Sequence, residues 1–163
     1  MARSIDVALT LLEKAIERGK IDSDYYIDNV KLHKLLYLGQ CFYRFCYDKD
    51  LFEDKIIAIE DGPYVEGLNF VVGLCGFDKI KNVDDLREKV YLFPISPSRD
   101  EVCELLLDKF GKYTTDELVL ITKKTSAYQK CYGCCNYFIG NELMKKTGEY
   151  FLSKTGYKVK VKV

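Results

Sequence analysis

Three cysteines near the carboxyl end, Cys131, Cys134 and Cys135, are the residues whose spacing comes closest to a chemical motif. A Cys-x-x-Cys pair supplies two corners of a tetrahedral zinc site, and the same spacing occurs in thiol redox motifs. However, no second pair lies at zinc-finger spacing, and the only histidine, His33, is far upstream. Redox motifs also follow a strand in an alternating strand and helix pattern, which this sequence lacks. We therefore expect no metal site here.

The seven cysteines are odd in number and irregular in spacing, which argues against a disulfide framework. Four of them fall within helical patterns, where a small apolar side chain packs well: Cys41, Cys46, Cys75 and Cys103. We expect these four to be reduced core residues. A cysteine-dependent enzyme stays open as an alternative, and it requires a thiol of lowered pKa near residues 131–135.

Other catalytic apparatus is missing from the sequence. It has no glycine-rich phosphate loop, no Gly-x-Ser-x-Gly nucleophile elbow and no paired histidines for a metal. His33 and Cys41 are predicted to share a helix, but they lie about two turns apart, roughly 12 Å along its axis, which is too far for direct proton transfer. We predict that the chain is not an enzyme and needs no cofactor. His33 can instead hydrogen-bond to a protein partner, or be a surface histidine without a function.

The helix that carries His33 is the clearest element in the sequence. Asp28 or Asn29 can cap its first turn, because a side-chain oxygen there accepts hydrogen bonds from free backbone N–H groups. Apolar residues at helical spacing predict one buried face: Leu32, Leu35, Leu36, Phe42, Tyr43 and Cys46. The other face combines aromatic and hydrogen-bonding groups and is predicted to be exposed: His33, Tyr37, Gln40, Arg44 and Tyr47. Alternatively, Tyr37 and Tyr47 simply cover the edge of the core.

This helix and three later blocks resemble the Panacea domain, a family associated with phages and prophages. The family's Ile-Thr-Asn-Leu-Lys-Leu-Gln-Lys-Leu-Leu-Tyr run is matched, with His33 at the glutamine, by Ile27, Asn29, Lys31, Leu32, Lys34, Leu35, Leu36 and Tyr37. The later blocks are matched by Leu51-Phe52, Ala58, Gly62 and Pro63; by Phe110-Gly111, Leu118, Leu120 and Thr122; and by Ile139, Glu142, Tyr150 and Phe151. The departures are Asp61 for an aromatic residue, Tyr64 for valine, Lys123 for histidine and Ala127-Tyr128 for Pro-Trp.

The resemblance implies a function through protein binding. The family's described members are antitoxins of toxin–antitoxin pairs, one of which is a proteolytic adaptor. We therefore expect a phage- or prophage-associated antitoxin that covers the working surface of a cognate toxin. An adaptor that delivers a target protein to a protease is the alternative. The helix face and a tight turn supply the contact candidates: Lys31, His33, Lys34, Tyr37, Gln40, Arg44, Asp61, Gly62, Pro63 and Tyr64.

Length and composition favour one globular domain covering residues 1–163. A chain of 163 residues that is 48% hydrophobic can bury most of the surface its unfolded form exposes. Lys and Arg number 25 and Asp and Glu number 25, so no net charge attracts a phosphate backbone, and we expect no nucleic-acid binding by the chain itself. The first residues do not resemble a signal peptide, and no apolar run reaches membrane-spanning length. We expect a cytoplasmic protein that does not bind membranes.

The remaining pattern predicts a mainly α, single-domain helical bundle with a small β component. Helices are expected over residues 4–18, with Gly19 ending the first in a left-handed conformation, over 29–47, and over 141–154 with Thr147 and Tyr150 facing inward. Capping boxes at Ser98 with Glu101 and at Thr114 with Glu117 predict two more helix starts. Short strands are predicted near residues 55–60, 90–93 and 157–163, with an extended segment as the alternative for the second and a solvated tail as the alternative for the third.

Overall fold

The computed structural model of the chain describes residues 1–134 and 137–154. In chain order its regular elements are α1 (Ser4–Gly19), α2 (Asn29–Tyr47), β1 (Ile56–Ile59), β2 (Gly62–Val65), α3 (Val71–Cys75), α4 (Asp84–Lys89), α5 (Pro97–Phe110), α6 (Thr115–Lys123), α7 (Ser126–Cys131) and α8 (Asn141–Lys154). The prediction of a mainly α fold with a small β part is confirmed. Within this part of the chain, no helix is long and apolar enough to cross a membrane.

Helix α2 is the centre of the fold. It packs against α1, α3, α5, α6, α8 and strand β2, and all of residues 31–43 are buried. A helix enclosed in this way has no solvent side, so its polar residues need partners within the protein. The prediction of one buried and one exposed face is therefore wrong for this stretch.

The two ends of α2 follow from short-range chemistry. The Asp28 carboxylate accepts a hydrogen bond from the Lys31 backbone N–H at 2.8 Å, which satisfies a donor of the first turn. At the other end, Asp48 takes a left-handed conformation with φ of 53° and stops the helix. The predicted bounds of residues 29–47 are confirmed. By contrast, α1 includes Gly19, and it is Lys20, in a right-handed conformation, that follows the helix, so the left-handed stop predicted at Gly19 is wrong.

The two predicted capping boxes have different outcomes. At α6 the Thr114 hydroxyl accepts from the Glu117 N–H and the Glu117 carboxylate accepts from the Thr114 N–H, both at 3.1 Å, as predicted. Helix α5 instead begins at Pro97, whose fixed φ suits a first helical position, and the Ser98 hydroxyl lies 2.8 Å from the Tyr43 hydroxyl. The box predicted at Ser98 is wrong because this serine is already inside the helix.

Helix α8 covers α2 at close range through Gly148. A Cβ atom at this position would overlap the carbonyl group of Cys41 on α2. Phe151 continues the contact, with its ring centroid 6.4 Å from that of Phe42 and 5.6 Å from that of Phe110. The predicted bounds of residues 141–154 are confirmed, and Thr147 is buried as expected. Tyr150 is 52% exposed, so the prediction that it faces inward is wrong.

Strands β1 and β2 form an antiparallel hairpin in which Ala58 pairs with Pro63. On the other side of β1, Ala58 N–H donates to the Tyr137 carbonyl and Ile139 N–H donates to the Ile56 carbonyl, both at 2.9 Å. Strand β1 is thus hydrogen-bonded along both edges, and the strand predicted near residues 55–60 is confirmed.

The strand predicted at residues 90–93 is wrong. Residues 91–96 are irregular, and side chains of the α1 region satisfy their backbone instead of a sheet: Arg3 donates to the Tyr91 carbonyl at 2.6 Å and the Phe93 N–H donates to Asp6 at 2.9 Å. Pro94, which lacks an N–H donor, fits this arrangement. The strand predicted at residues 157–163 lies outside the described residues.

Candidate partner-binding site

Two of the predicted contact residues on α2 hold the outer edge of strand β2. The His33 Nδ1 atom accepts a hydrogen bond from the Val65 N–H at 2.9 Å, and the Lys34 ammonium donates to the Pro63 carbonyl at 3.0 Å. Alternate residues of a strand present their backbone groups on the same side, so these two bonds cover the edge that β1 leaves open. Helix α2 therefore takes the place of a neighbouring strand.

His33 is a neutral, buried imidazole. Only 2% of its surface is exposed, and its ring stacks on that of Tyr64 with centroids 4.1 Å apart and planes 14° apart. Because Nδ1 accepts from Val65, the proton of the neutral ring is on Nε2, which is buried and has no partner among the described residues. Burial, aided by the charge of Lys34, lowers the pKa of His33 from 6.5 to about 3.

Two lysines of α2 also lie inside the protein. The Lys31 ammonium donates to the Gly111 carbonyl at 2.7 Å and lies 4.4 Å from the ring centroid of Tyr26. Burial lowers the pKa values of Lys31 and Lys34 from 10.5 to about 8, against the opposing attraction of nearby carboxylates, which for Lys34 is Asp61. Both ammonium groups stay charged at neutral pH; Lys31 connects α2 to the loop after α5, and Lys34 connects it to strand β2.

Tyr37 occupies the middle of α2 and is fully buried. Its hydroxyl lies 2.8 Å from the Thr125 hydroxyl, which itself donates to the Thr122 carbonyl at 2.7 Å. The Thr125 oxygen therefore accepts from Tyr37, and this chain of bonds joins α2 to the segment between α6 and α7. Tyr37 packs within the core, deeper than in the alternative interpretation, which placed it over the core edge.

Gln40 and Arg44 are the next two residues, after His33 and Tyr37, of the helix face that was predicted to be exposed. The Gln40 amide donates to the Phe52 carbonyl at 3.1 Å and accepts from the Leu51 N–H at 2.6 Å, so it fixes the chain that enters β1. The Arg44 side chain is 14% exposed and pairs with Asp50 at 3.4 Å. The expectation that Tyr37 and Arg44 both lie outside the packed face is therefore wrong for Tyr37 and only partly right for Arg44.

The burial of the contact candidates on α2 limits their ability to bind a partner. Five of the contact candidates have at most 3% of their surface exposed and are engaged within the chain: Lys31, His33, Lys34, Tyr37 and Gln40. In this conformation their side chains are not presented to a partner, so the predicted exposed helix face is wrong. Whether any of them contributes to partner binding stays a prediction.

The hairpin end contains the remaining candidates. Asp61 is exposed and Tyr64 is half-buried, whereas Gly62 and Pro63 are buried. Gly62 has a φ of +112°, and a Cβ there would lie 3.0 Å from Cε of Lys34. The turn itself is formed by Glu60 and Asp61, because Ile59 pairs with Gly62. Asp61 and Tyr64 are thus the hairpin candidates within reach of another protein.

An apolar groove beside this hairpin was missed in the sequence. Its aromatic residues are Tyr132, Tyr137 and Phe138, which are 47%, 52% and 41% exposed. Its volume is about 410 Å³, and we call it the hairpin groove, lined by Ile57, Ala58, Ile59, Glu60, Glu66, Tyr132, Tyr137 and Phe138. The run of aromatic residues between positions 128 and 138 was the available signal, but their joining to β1 depends on long-range pairing that periodicity does not reveal.

The cysteines differ in burial. Cys41 and Cys103 are fully buried, and burial raises the pKa values of both thiols, to about 12 for Cys103. It also raises the pKa of Cys46 to about 11. Such thiols stay protonated and pack as small apolar groups. Of the three clustered cysteines, Cys131 is buried and Cys134 exposed, while Cys135 lies outside the described residues; residues 1–134 and 137–154 contain no group of three or more potential metal ligands.

Comparisons with known proteins leave the chain without a demonstrated relative: no family model, no curated protein and no solved structure matches it.

Proposed function

We propose that this chain is an antitoxin-like protein-binding domain, of phage or prophage association, that neutralises a cognate toxin by direct contact. The four blocks of resemblance to the Panacea domain suggest the biological role. The observation that carries the binding function is the hairpin groove, where three large aromatic side chains remain about half exposed beside an ordered sheet. Exposed apolar patches of this kind are characteristic of protein interaction sites, and aromatic residues supply much of the energy there.

The hairpin groove is favoured over another exposed aromatic pair, Tyr91 and Phe93. That pair is more exposed, at 78% and 54%, but it belongs to an irregular segment. Phe138, by contrast, pairs with Ile57 across the sheet, and the Lys55 ammonium lies 4.4 Å from its ring centroid. Backbone hydrogen bonds join residues 137–139 to β1, and groups already ordered by such bonds lose less conformational entropy on binding, which favours the hairpin groove.

The charged residues at the rim of the hairpin groove suggest which charge the toxin carries at its contact surface. Glu60 and Glu66 line the hairpin groove and are exposed, the next residue Asp61 is also exposed, and Lys55 is a nearby positive group. Opposite charges across an interface speed association and exclude wrong partners. We infer that the toxin presents an apolar anchor flanked by lysine or arginine side chains.

Co-expression with the product of the adjacent gene tests the proposal. The parent chain should restore growth, and the double substitution Tyr132→Ser with Tyr137→Ser should abolish the rescue. Truncating an interface anchor costs about 2 kcal/mol or more, which is roughly a thirtyfold loss of affinity. The matched control is Tyr91→Ser with Phe93→Ser, which removes two exposed rings elsewhere and should leave rescue unchanged.

The outcomes of this assay distinguish an error in the proposed contact surface from an error in the proposed function. If both double variants fold and rescue growth, the hairpin groove is not the contact surface. If the parent neither binds nor rescues against any neighbouring product, the antitoxin function itself is wrong. An adaptor remains the alternative function, and it predicts that the bound target disappears in a degradation assay with a cellular protease, whereas a directly inhibiting antitoxin leaves its toxin intact.

A further inference from the structure

A second groove lies between the α6–α7 segment and helix α8, on different residues from the hairpin groove. Its volume is about 600 Å³, within the range of pockets that hold small organic ligands. We call it the α8 groove, and it is lined by Ile121, Lys124, Thr125, Ser126, Lys146, Thr147, Tyr150 and Phe151. Nothing in the proposed antitoxin function uses it.

The groove combines one sign of charge with an apolar wall. Lys124 and Lys146 are both exposed, and neither forms an ion pair with any described residue. The lining contains no acidic side chain from the described part of the chain. The adjacent Lys145 differs, because its ammonium lies 3.2 Å from the Asp48 carboxylate. Two unneutralised ammonium groups at one groove favour an anion.

The other lining residues set the shape of such an anion. Ile121 and Phe151 are half-buried and Tyr150 is 52% exposed, so together they offer a hydrophobic and aromatic surface. Ser126 is exposed and can add a hydroxyl donor, while Thr125 is buried at the base and bonded to Tyr37. An apolar body can lie on the aromatic side with its charged end toward the lysines.

We propose that the α8 groove is a binding site for a small organic anion, in which a carboxylate, sulfonate or phosphate is joined to an apolar or aromatic body. The charged end meets Lys124 and Lys146, and the body packs against Ile121, Tyr150 and Phe151. The residues that line this site are different from those that line the hairpin groove.

Two probes that differ in charge test the site on the full chain. Anilinonaphthalene sulfonate supplies an aromatic body with an anion, and phenylnaphthylamine supplies a closely similar body without one. Fluorescence titration should show saturable binding of the sulfonate, at least about tenfold tighter than the neutral probe, because charge-assisted contacts are stronger than neutral ones. Amide NMR shifts should cluster at Ser126, Thr147 and their neighbours.

Charge variants then assign the contact to the groove. Lys124→Met and Lys146→Met should each weaken sulfonate binding about fivefold to tenfold and leave binding of the neutral probe unchanged. Lys145→Met is the matched control, since it removes the same charge from the neighbouring position of the same helix, and it should leave both affinities within about twofold of the parent.

Four results would overturn the proposal. These are the absence of sulfonate binding, equal affinity for the two probes, NMR shifts that cluster at Tyr132 and Tyr137 of the hairpin groove, and an effect of Lys145→Met as large as that of Lys146→Met. None of them depends on a toxin, so failure here leaves the antitoxin proposal to be judged by the growth assay alone.

Discussion

His33 connects helix α2 to strand β2 through an imidazole that must stay neutral. It accepts from the Val65 N–H, and its ring is covered by Tyr64. Protonation would replace the acceptor with a second donor and place a charge next to the Lys34 ammonium. The histidine is therefore a point at which acid weakens the connection between the helix and the hairpin.

The pH dependence of stability should show this effect. Between pH 6.5 and about 3, the unfolded chain binds a proton at His33 that the folded chain does not, so the free energy of unfolding falls as the pH falls through this window. His33→Gln keeps an acceptor for Val65 and cannot titrate. Urea unfolding at about pH 6.5 and about pH 5 should show an additional loss of about 1.5 kcal/mol in the parent relative to the variant.

His33 is the only histidine, so no other side chain of ordinary pKa titrates in the upper part of that window. Equal losses of stability in parent and His33→Gln would mean that the imidazole is not held neutral.

Gly62 is the second residue-scale constraint. Its φ of +112° is poorly accessible to residues with a Cβ, and such an atom would also press on the Lys34 side chain. Gly62→Ala should lower the free energy of unfolding by about 1–2 kcal/mol, measured by urea denaturation.

The loss at Gly62 has two possible causes, backbone strain at positive φ and steric contact of the Cβ, and substitutions at two other glycines distinguish them. Gly76 has a φ of +70° but only open space within 4 Å of the point where a Cβ would lie, so Gly76→Ala reports backbone strain alone. Gly73 has open space and no positive φ, so Gly73→Ala should be neutral or stabilising within its helix. A Gly62→Ala protein as stable as the parent would show that the hairpin does not need glycine.

A hydrogen bond that caps a helix could be predicted from the sequence where the donor and the acceptor lie within one helical turn. Asp28 with Lys31, and Thr114 with Glu117, are such cases: the second cap was predicted, and Asp28 is one of the two caps predicted for α2. Ser98 satisfied the same pattern, but Pro97 begins the helix one residue earlier and the serine bonds to Tyr43. A local pattern does not reveal a partner that tertiary packing supplies.

At the scale of elements, the contact of α2 with α8 depends on the missing side chain of Gly148. The carbonyl of Cys41 occupies the space that a Cβ would need, and a buried backbone group cannot rotate away as a side chain can. The two helices would have to separate to admit even a methyl group.

Gly148→Ala should therefore destabilise the protein although alanine favours helix formation. Overpacking of this kind costs about 1–3 kcal/mol, which exceeds the gain in helix propensity of up to about 1 kcal/mol. Thermal unfolding followed by circular dichroism should show a lower midpoint. Gly19→Ala, at the end of α1, is the control, because Gly19 has no positive φ and only open space where a Cβ would lie, and it should leave the midpoint unchanged or slightly raised. A midpoint for Gly148→Ala at or above the parent value would contradict the close packing.

Strand assignments were less predictable than helix bounds. The apolar run at residues 55–60 and that at 90–93 both have the local composition of a short strand. Only the first pairs in the sheet, because the turn at Glu60 and Asp61 brings β2 back beside it, whereas Arg3 and Asp6 bind the backbone of the second. Pairing depends on what the rest of the chain brings near.

For the whole molecule, the position of α2 explains both the success and the failure of the sequence analysis. The length and caps of α2 could be predicted from residues close in sequence, but the elements that pack against it could not. A polar row at helical spacing normally predicts a solvent face. Here β2, α6, the loop before β1 and the segment after α5 lie against the polar residues of α2, so that Lys31, Tyr37 and Gln40 connect α2 to the rest of the protein. The single-domain organisation fits this central helix and stays a prediction.

The cover that α2 places on β2 has a consequence for self-association. An uncovered strand edge pairs with any extended chain, whatever its side chains, and so promotes aggregation. The imidazole of His33 and the ammonium of Lys34 already bind the Val65 N–H and the Pro63 carbonyl. A protein that approaches the hairpin from that side finds no main chain to pair with. Its recognition must then depend on side chains, which differ between partners in a way that backbone does not.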